Sequence, residues 1–116
     1  MTGNPGVRTT LCIAIMTTPA NSTTPSFDCD RTLSSVESLI CGDDLLASLD
    51  MRLASTFAQL LAQANASEVV DLLAEHRAWR VRLNQCGKEN NLRACTMNIY
   101  EDRLHTLETR PRARLP

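Results

Sequence analysis

Aromatic residues are scarce in this chain of 116 residues, which contains one Trp, one Tyr and two Phe. Its apolar side chains are chiefly Leu and Ala, whereas β-strands favour Val, Ile, Thr and aromatic residues. The composition therefore predicts an all-α fold. The sequence also lacks a run of about 18 apolar residues, so it predicts no transmembrane helix.

Sequence signatures of catalysis are missing as well. There is no nucleophile elbow, no phosphate-binding glycine loop and no His-Glu-x-x-His metal motif. Adjacent carboxylates occur at Glu101-Asp102 and at Asp43-Asp44, and the second pair is explained as a helix N-cap that complements the helix dipole. We therefore expect a protein that is not an enzyme and that has no cofactor and no metal.

The net charge is only −1, but the charges are unevenly distributed. All 13 acidic residues lie between positions 28 and 108, together with eight basic residues, and the other arginines lie near the two termini. An acidic central region argues against a nucleic-acid partner, because phosphates require a basic stripe. The same region can steer a cationic partner.

Residues 1–26 are rich in Thr, Ser, Pro and Asn around one short apolar run that contains Cys12. Arg8 precedes this run and small residues follow it, as in a secretory signal peptide. The alternative is a disordered leader. The residues before Cys12 do not form a lipobox, so we expect no lipid anchor at this cysteine.

Without Cys12, four of the five cysteines remain: Cys29, Cys41, Cys86 and Cys95. An even number in a small domain favours two disulfides and an oxidising compartment. The alternative is a metal site that combines the last two thiols with His76 or His105. Zinc ligands usually occur as closely spaced pairs, however, and a spacing of this kind is absent here.

Capping residues and apolar periodicity predict a short helix followed by three longer ones. Ser34 and Glu37 form a capping box that opens a short helix ending near Gly42. Asp43 or Asp44 caps the second helix. Its apolar residues occupy one broad arc: Leu45, Leu46, Leu49, Leu53, Phe57, Leu60, Leu61 and Ala64.

The third helix follows the break at 65–67, with Asn65 or Ser67 as its cap. Its stripe contains Val69, Leu72, Leu73, Trp79 and Leu83, and the stripe of the fourth helix contains Leu92, Ile99, Tyr100 and Leu107. The two helices meet at a polar corner, where Gly87 is predicted to adopt the left-handed conformation that often ends a helix. A crosslink between Cys86 and Cys95 would staple this corner.

Two charged residues fall within the predicted helical core. Asp50 lies at the edge of the second helix's apolar arc and Arg103 lies in the centre of the fourth helix's stripe. Unpaired charges are costly in a core, so we expect an ion pair between Asp50 and either Arg103 or Arg77. The alternative is that these side chains extend to solvent. Trp79 is predicted to lie in the core, and His76 at its edge.

Several residues in register resemble the LprI-type lysozyme-inhibitor family over about 80 residues. They are Cys29, Val36-Glu37-Ser38-Leu39-Ile40-Cys41, Leu46, Leu49-Asp50, Leu53, Phe57, Arg77-Ala78-Trp79, Cys86, Cys95, Tyr100, Arg103 and Leu107. The resemblance implies a small α-helical bacterial protein that is periplasmic, secreted or lipid-anchored. It also implies the disulfide pairings Cys29–Cys41 and Cys86–Cys95. Lysozyme inhibition is attributed to some members.

This chain departs from the family pattern at two places within the helices. Leu83-Asn84 stands where the family often has an Arg-Asp pair before the third cysteine, and Phe57 stands where a Tyr is usual. These departures concern side chains of the second and third helices rather than the cysteine framework.

We therefore expect an antiparallel helical bundle with two local disulfides over residues 27–109, between the leader 1–26 and a basic Arg/Pro tail 110–116. The functional hypothesis is an exported, periplasmic or secreted protein that inhibits a lysozyme-type cell-wall hydrolase by binding and occlusion. The alternative is an envelope module with an interaction or structural role and no lysozyme activity.

The acidic first third of this domain carries the candidate partner-binding residues Glu37, Asp43 and Asp44. Only Arg31 and Arg52 offset the acids between positions 28 and 52. A lysozyme is typically cationic, so an acidic surface can steer the encounter. The alternative is an ordinary solvated surface with two helix caps.

Overall fold

The computed structural model describes residues 23–111, and this part of the chain is all-α, as predicted. It contains α1 (Ser35–Gly42), α2 (Asp44–Gln63), α3 (Ala66–Gln85) and α4 (Leu92–Glu108). A 3₁₀ turn at Cys86–Lys88 follows α3. None of these helices is long and apolar enough to cross a membrane. The predictions for Cys12 and the rest of 1–22, and for 112–116, lie outside the described residues.

Each helix begins at a polar side chain that accepts hydrogen bonds from its first turn. The Ser34 hydroxyl accepts from the Glu37 amide at 3.1 Å and the Glu37 carboxylate accepts from the Ser34 amide at 3.0 Å, which confirms the predicted capping box. Asp43 caps α2, Asn65 caps α3 and Asn91 caps α4. Local sequence therefore determines where all four helices begin.

The three long helices form the core. Asp43 before α2 contacts Arg93 at the beginning of α4, and Arg52 contacts Glu108 at the end of α4, so these two helices run in the same direction. α3 runs antiparallel to both and packs more loosely on α2 than α4 does. The buried apolar residues are Val36, Ile40, Leu46, Ala47, Leu53, Leu72, Trp79, Leu83, Cys86, Tyr100, Leu104 and Leu107.

The predicted apolar stripes are wider than the surfaces that the neighbouring helices cover. Leu45 on α2 is 54% exposed and Leu73 on α3 is 39% exposed, although the apolar periodicity predicts that both face inward. In both helices the packing partners leave one edge of the stripe exposed. Helical periodicity gives the direction of a face but not the width of the contact.

Two disulfides confirm the predicted pairings. Cys29 and Cys41 have Cα atoms 6.0 Å apart, and Cys86 and Cys95 have Cα atoms 5.6 Å apart. The first ties the segment before α1 to the end of α1, and the second closes the corner between α3 and α4. The sulfurs of Cys86 and Cys95 are bonded to each other, so the alternative of a metal site with these thiolates is excluded.

Gly87 does not adopt the predicted left-handed conformation. α3 ends in the 3₁₀ turn instead, with Cys86 at φ −59°, and Gly87 has no positive φ. A Cβ atom on Gly87 would lie 3.0 Å from the Ser35 hydroxyl oxygen. The glycine is therefore explained by the close approach of this corner to the start of α1, and not by a helix-ending turn.

Candidate functional site

A buried carboxylate, Asp50, lies between α2 and α4 and is 6% exposed. Its Oδ1 accepts a hydrogen bond from the Tyr100 hydroxyl at 2.7 Å. Its Oδ2 accepts from the backbone amide and the hydroxyl of Ser26, both at 2.6 Å. Burial and the adjacent Asp50 raise the pKa of Tyr100 above its usual range, so its hydroxyl remains a donor. The carboxylate thus accepts three hydrogen bonds from neutral donors, two at Oδ2 and one at Oδ1.

The predicted ion pair of Asp50 with Arg103 or Arg77 is therefore wrong. Arg103 is buried and its Nη1 lies 3.7 Å from Oε1 of Glu75, on α3. Within residues 23–111, Nε and Nη2 of Arg103 have no hydrogen-bond partner. Burial lowers the pKa of the Arg103 guanidinium, while the charge of Glu75 opposes that effect. The Glu75 carboxylate also pairs with Arg110 at 2.7 Å.

The segment before α1 lies against the helices at several points. Ser26 donates to Asp50, and the Arg31 guanidinium lies 5.6 Å from the centroid of the Phe27 ring. Arg31 also pairs with Glu37 at 2.6 Å, and the first disulfide holds the same segment. Composition predicts that Ser26 belongs to the leader and Arg110 to the tail, but both side chains contact the helical domain.

Aromatic rings form a continuous row across the three long helices. The His76 ring centroid lies 4.2 Å from that of Phe57 and 5.2 Å from that of Trp79, and Trp79 meets Tyr100 edge-to-face at 5.1 Å. The Trp79 indole donates to the Ile99 carbonyl at 3.1 Å. Trp79 is 3% exposed, which confirms its predicted place in the core. Such a row links α2, α3 and α4 through rigid side chains.

A pocket of about 310 Å³ is lined chiefly by the segment before α1 and by α1, α2 and α3. The partly buried rings of its lining are Phe27, Phe57 and His76. The buried side chains of its lining are Val36, Ile40, Asp50, Leu53, Trp79, Leu83 and Tyr100. Arg31, Arg80 and Asn84 are the exposed charged or amide side chains of the lining. The volume falls at the lower end of the range of about 300–1,000 Å³ that is typical of small-molecule sites.

His76 in the pocket lining is held in its neutral form. Burial lowers the pKa of His76 from 6.5, and the charges of Arg103 and Arg80 lower it further, although Asp50 acts in the opposite direction. Its Nδ1 has no hydrogen-bond partner among the described residues. An imidazolium must donate from both nitrogens, so this environment disfavours protonation.

Acidification is expected to destabilise the protein in part through His76. Because the folded state holds the proton less tightly than the unfolded state, stability falls as the pH drops through about 6.5. His76→Phe keeps an aromatic ring in the row and should reduce the loss of stability between about pH 7 and pH 5. Urea denaturation at each pH measures the effect. Equal curves for His76→Phe and the parent would contradict the assignment.

The candidate partner-binding acids differ in how they are engaged. Asp43 caps α2 and pairs with Arg93 at 2.7 Å, and the hydrogen bonds from Arg93 and the Leu46 amide lower the pKa of Asp43. The Ser34 amide and Arg31 lower the pKa of Glu37, which also contributes to the pocket lining. Asp44 is exposed in the first turn of α2. Their role in binding a partner stays a prediction.

Sequence reasoning did not single out Ser26 or Asn84 as parts of a site. Ser26 lies in a Ser/Thr/Pro-rich segment that has no periodicity, so no local signal could place it beside a buried carboxylate. His76 and Arg80 did carry a signal, because both fall on the apolar stripe of α3 with Trp79. These two polar residues of the apolar stripe lie in the pocket lining.

Three curated proteins are similar to this chain in sequence. They are named Lipoprotein LprI, one from Mycobacterium bovis and two from strains of Mycobacterium tuberculosis, and each is 33% identical over 90 residues. The alignment covers 74% of this chain but 44% of each relative, so the chain spans less than half the length of the curated relatives it matches. No family model and no solved structure matches the chain.

Proposed function

Because the chain is LprI-like over 74% of its length, we propose that it is an exported bacterial protein that inhibits a lysozyme-type cell-wall hydrolase. The similarity to LprI carries the proposal, since lysozyme inhibition is the activity that this resemblance implies. The relatives' name, lipoprotein, and the two disulfides support a location outside the cytoplasm, because disulfides persist in oxidising compartments.

The proposed mode of action is occlusion, without catalysis. Two disulfides fix the end of the bundle at which Asp44 is exposed, so the surface there is preorganised for binding. Asp43 and Glu37 already take part in caps and ion pairs, whereas Asp44 caps no helix and is exposed to solvent. A cationic hydrolase would therefore meet Asp44 first, with Asp28 and Asp30 in the segment before α1.

An inhibition assay tests this proposal. The purified, oxidised protein is expected to inhibit at least one lysozyme class at micromolar concentration, and inhibition should weaken as salt screens the acidic surface. Asp44→Asn should raise the inhibition constant by about five-fold, equivalent to roughly 1 kcal/mol.

Asp71→Asn is the matched control, because Asp71 is an exposed carboxylate near the beginning of α3, at the opposite end of the bundle. This substitution should leave the inhibition constant unchanged. Absence of inhibition at micromolar concentration across the lysozyme classes would overturn the proposal.

The alternative is an envelope module that binds another protein through apolar contacts. One face of α3 favours it, since Val70 is 64% exposed and Val81 is 59% exposed, and Leu73 lies on the same side. These positions recur at helical spacing, so they form one apolar strip with Arg77 between them. Partner binding that is insensitive to salt and is lost in Val70→Ser/Val81→Ser would support this alternative.

A further inference from the structure

We propose that the pocket lined by the segment before α1 and by α1, α2 and α3 binds a neutral saccharide unit of about one pyranose ring. The proposal concerns a ligand of this chain itself and holds whether or not a lysozyme is the partner. It is carried by the balance of charge, the polar groups and the aromatic lining of one concave site.

The charges of the pocket lining cancel. Two carboxylates, Asp50 and Glu37, are matched by two guanidiniums, Arg31 and Arg80, and His76 is neutral. An anion entering the pocket would approach the buried Asp50, and a cation would pass Arg80. Because desolvating an unmatched charge is costly, the pocket favours a ligand without net charge.

The lining offers both hydrogen-bond donors and acceptors. Arg80 donates only, Asn84 donates and accepts, and each oxygen of the Asp50 carboxylate has two lone pairs. Oδ1 of Asp50 accepts a single protein hydrogen bond, from Tyr100, and retains capacity for another. A ligand that satisfies such a mixed set must itself both donate and accept, as sugar hydroxyl groups do.

Aromatic and aliphatic side chains together supply the apolar part of the same site. Phe27, Phe57, His76 and Trp79 all contribute to the lining, and three of these rings form one row. The C–H groups of a pyranose can contact these rings at their exposed edges and the aliphatic side chains of Val36, Ile40 and Leu53 in the same lining, while its hydroxyl groups reach the polar side chains. A volume of about 310 Å³ suits one ring with some water, rather than a larger drug-sized ligand.

Trp79 makes the test direct, because it is the chain's one tryptophan and part of the pocket lining. Its fluorescence is followed while glucose, N-acetylglucosamine or a β-linked disaccharide of either is added to the oxidised full chain. We expect a saturable change for at least one of these neutral sugars. Glucosamine and glucuronate, the cationic and anionic counterparts, should bind at least five-fold more weakly.

Substitutions in the exposed part of the lining locate the site without disturbing the core. Arg80→Gln and Asn84→Ala should each raise the dissociation constant for the sugar about five-fold. Arg82→Gln is the matched control, since Arg82 is an exposed arginine on the same helix but outside the lining. The proposal would be overturned if no neutral sugar gives a saturable response, or if a charged counterpart binds more tightly. It would also be overturned if Arg82→Gln weakens binding as much as Arg80→Gln does. No lysozyme is present, so failure here is distinguishable from failure of the inhibition assay.

Discussion

Asp50→Ala is expected to lower the free energy of unfolding by about 3 kcal/mol. The substitution leaves the buried Tyr100 hydroxyl without its acceptor and removes the two hydrogen bonds that hold Ser26. An unsatisfied buried donor costs about 1–3 kcal/mol, and hydrogen bonds to a charged group contribute about 1.5–3 kcal/mol. Urea denaturation followed by circular dichroism measures the loss.

Tyr100→Phe separates the unsatisfied donor from the rest of this effect. In the Asp50→Ala variant, Tyr100→Phe removes the hydroxyl that has lost its acceptor. Tyr100→Phe should therefore lower the free energy of unfolding less in that variant than in the parent, with a coupling energy of about 1–2 kcal/mol. Asp71→Ala, at an exposed carboxylate, should change stability by less than about 0.5 kcal/mol. An Asp50→Ala loss as small as that control would show that the carboxylate does not stabilise the fold.

Removing the second disulfide by Cys86→Ala/Cys95→Ala is expected to cost about 4 kcal/mol, against about 3 kcal/mol for Cys29→Ala/Cys41→Ala. The sequence separations are 9 and 12, so the entropic contributions are nearly equal, at about 2.6 and about 2.8 kcal/mol. Cys86 is fully buried, whereas Cys29 and Cys41 are partly exposed, and truncation of a buried sulfur leaves a cavity.

Thermal and urea unfolding of the two double variants, both compared with the parent under oxidising conditions, measure this order. The two variants remove the same atoms, so each is the control for the other. If the first disulfide contributes more than the second, the segment before α1 stabilises the domain more than the buried corner does.

Local sequence predicted most of the fold, because helix caps and disulfide frameworks are local features. Ser34 and Glu37 form the expected capping box, and Trp79 lies in the core as its stripe indicated. The cysteine pairings, implied by resemblance, were also confirmed. These outcomes depend on residues within a few turns of each other.

The pairing of Asp50 could not be predicted in the same way. Tyr100 and Arg103 share one broad stripe on α4, but Tyr100 contacts Asp50 on α2 while Arg103 contacts Glu75 on α3. A helical wheel shows that two residues face the core without showing which neighbouring helix each one meets. Ser26, the other partner of Asp50, lies 24 residues away in a segment without periodicity.

Both crosslinks lie at the same end of the bundle. Within residues 23–111, one disulfide joins the segment before α1 to α1, and the other joins α3 to α4 beside Gly87. The turn between α2 and α3 at 64–65 lies at the far end of the bundle, and this described turn contains no disulfide. Ion pairs such as Arg52–Glu108 and Glu75–Arg110 hold that far end, and such pairs between partly exposed side chains are weak. Local opening should therefore begin at the turn between α2 and α3 and reach the crosslinked end last. Backbone amides should accordingly exchange first at that turn.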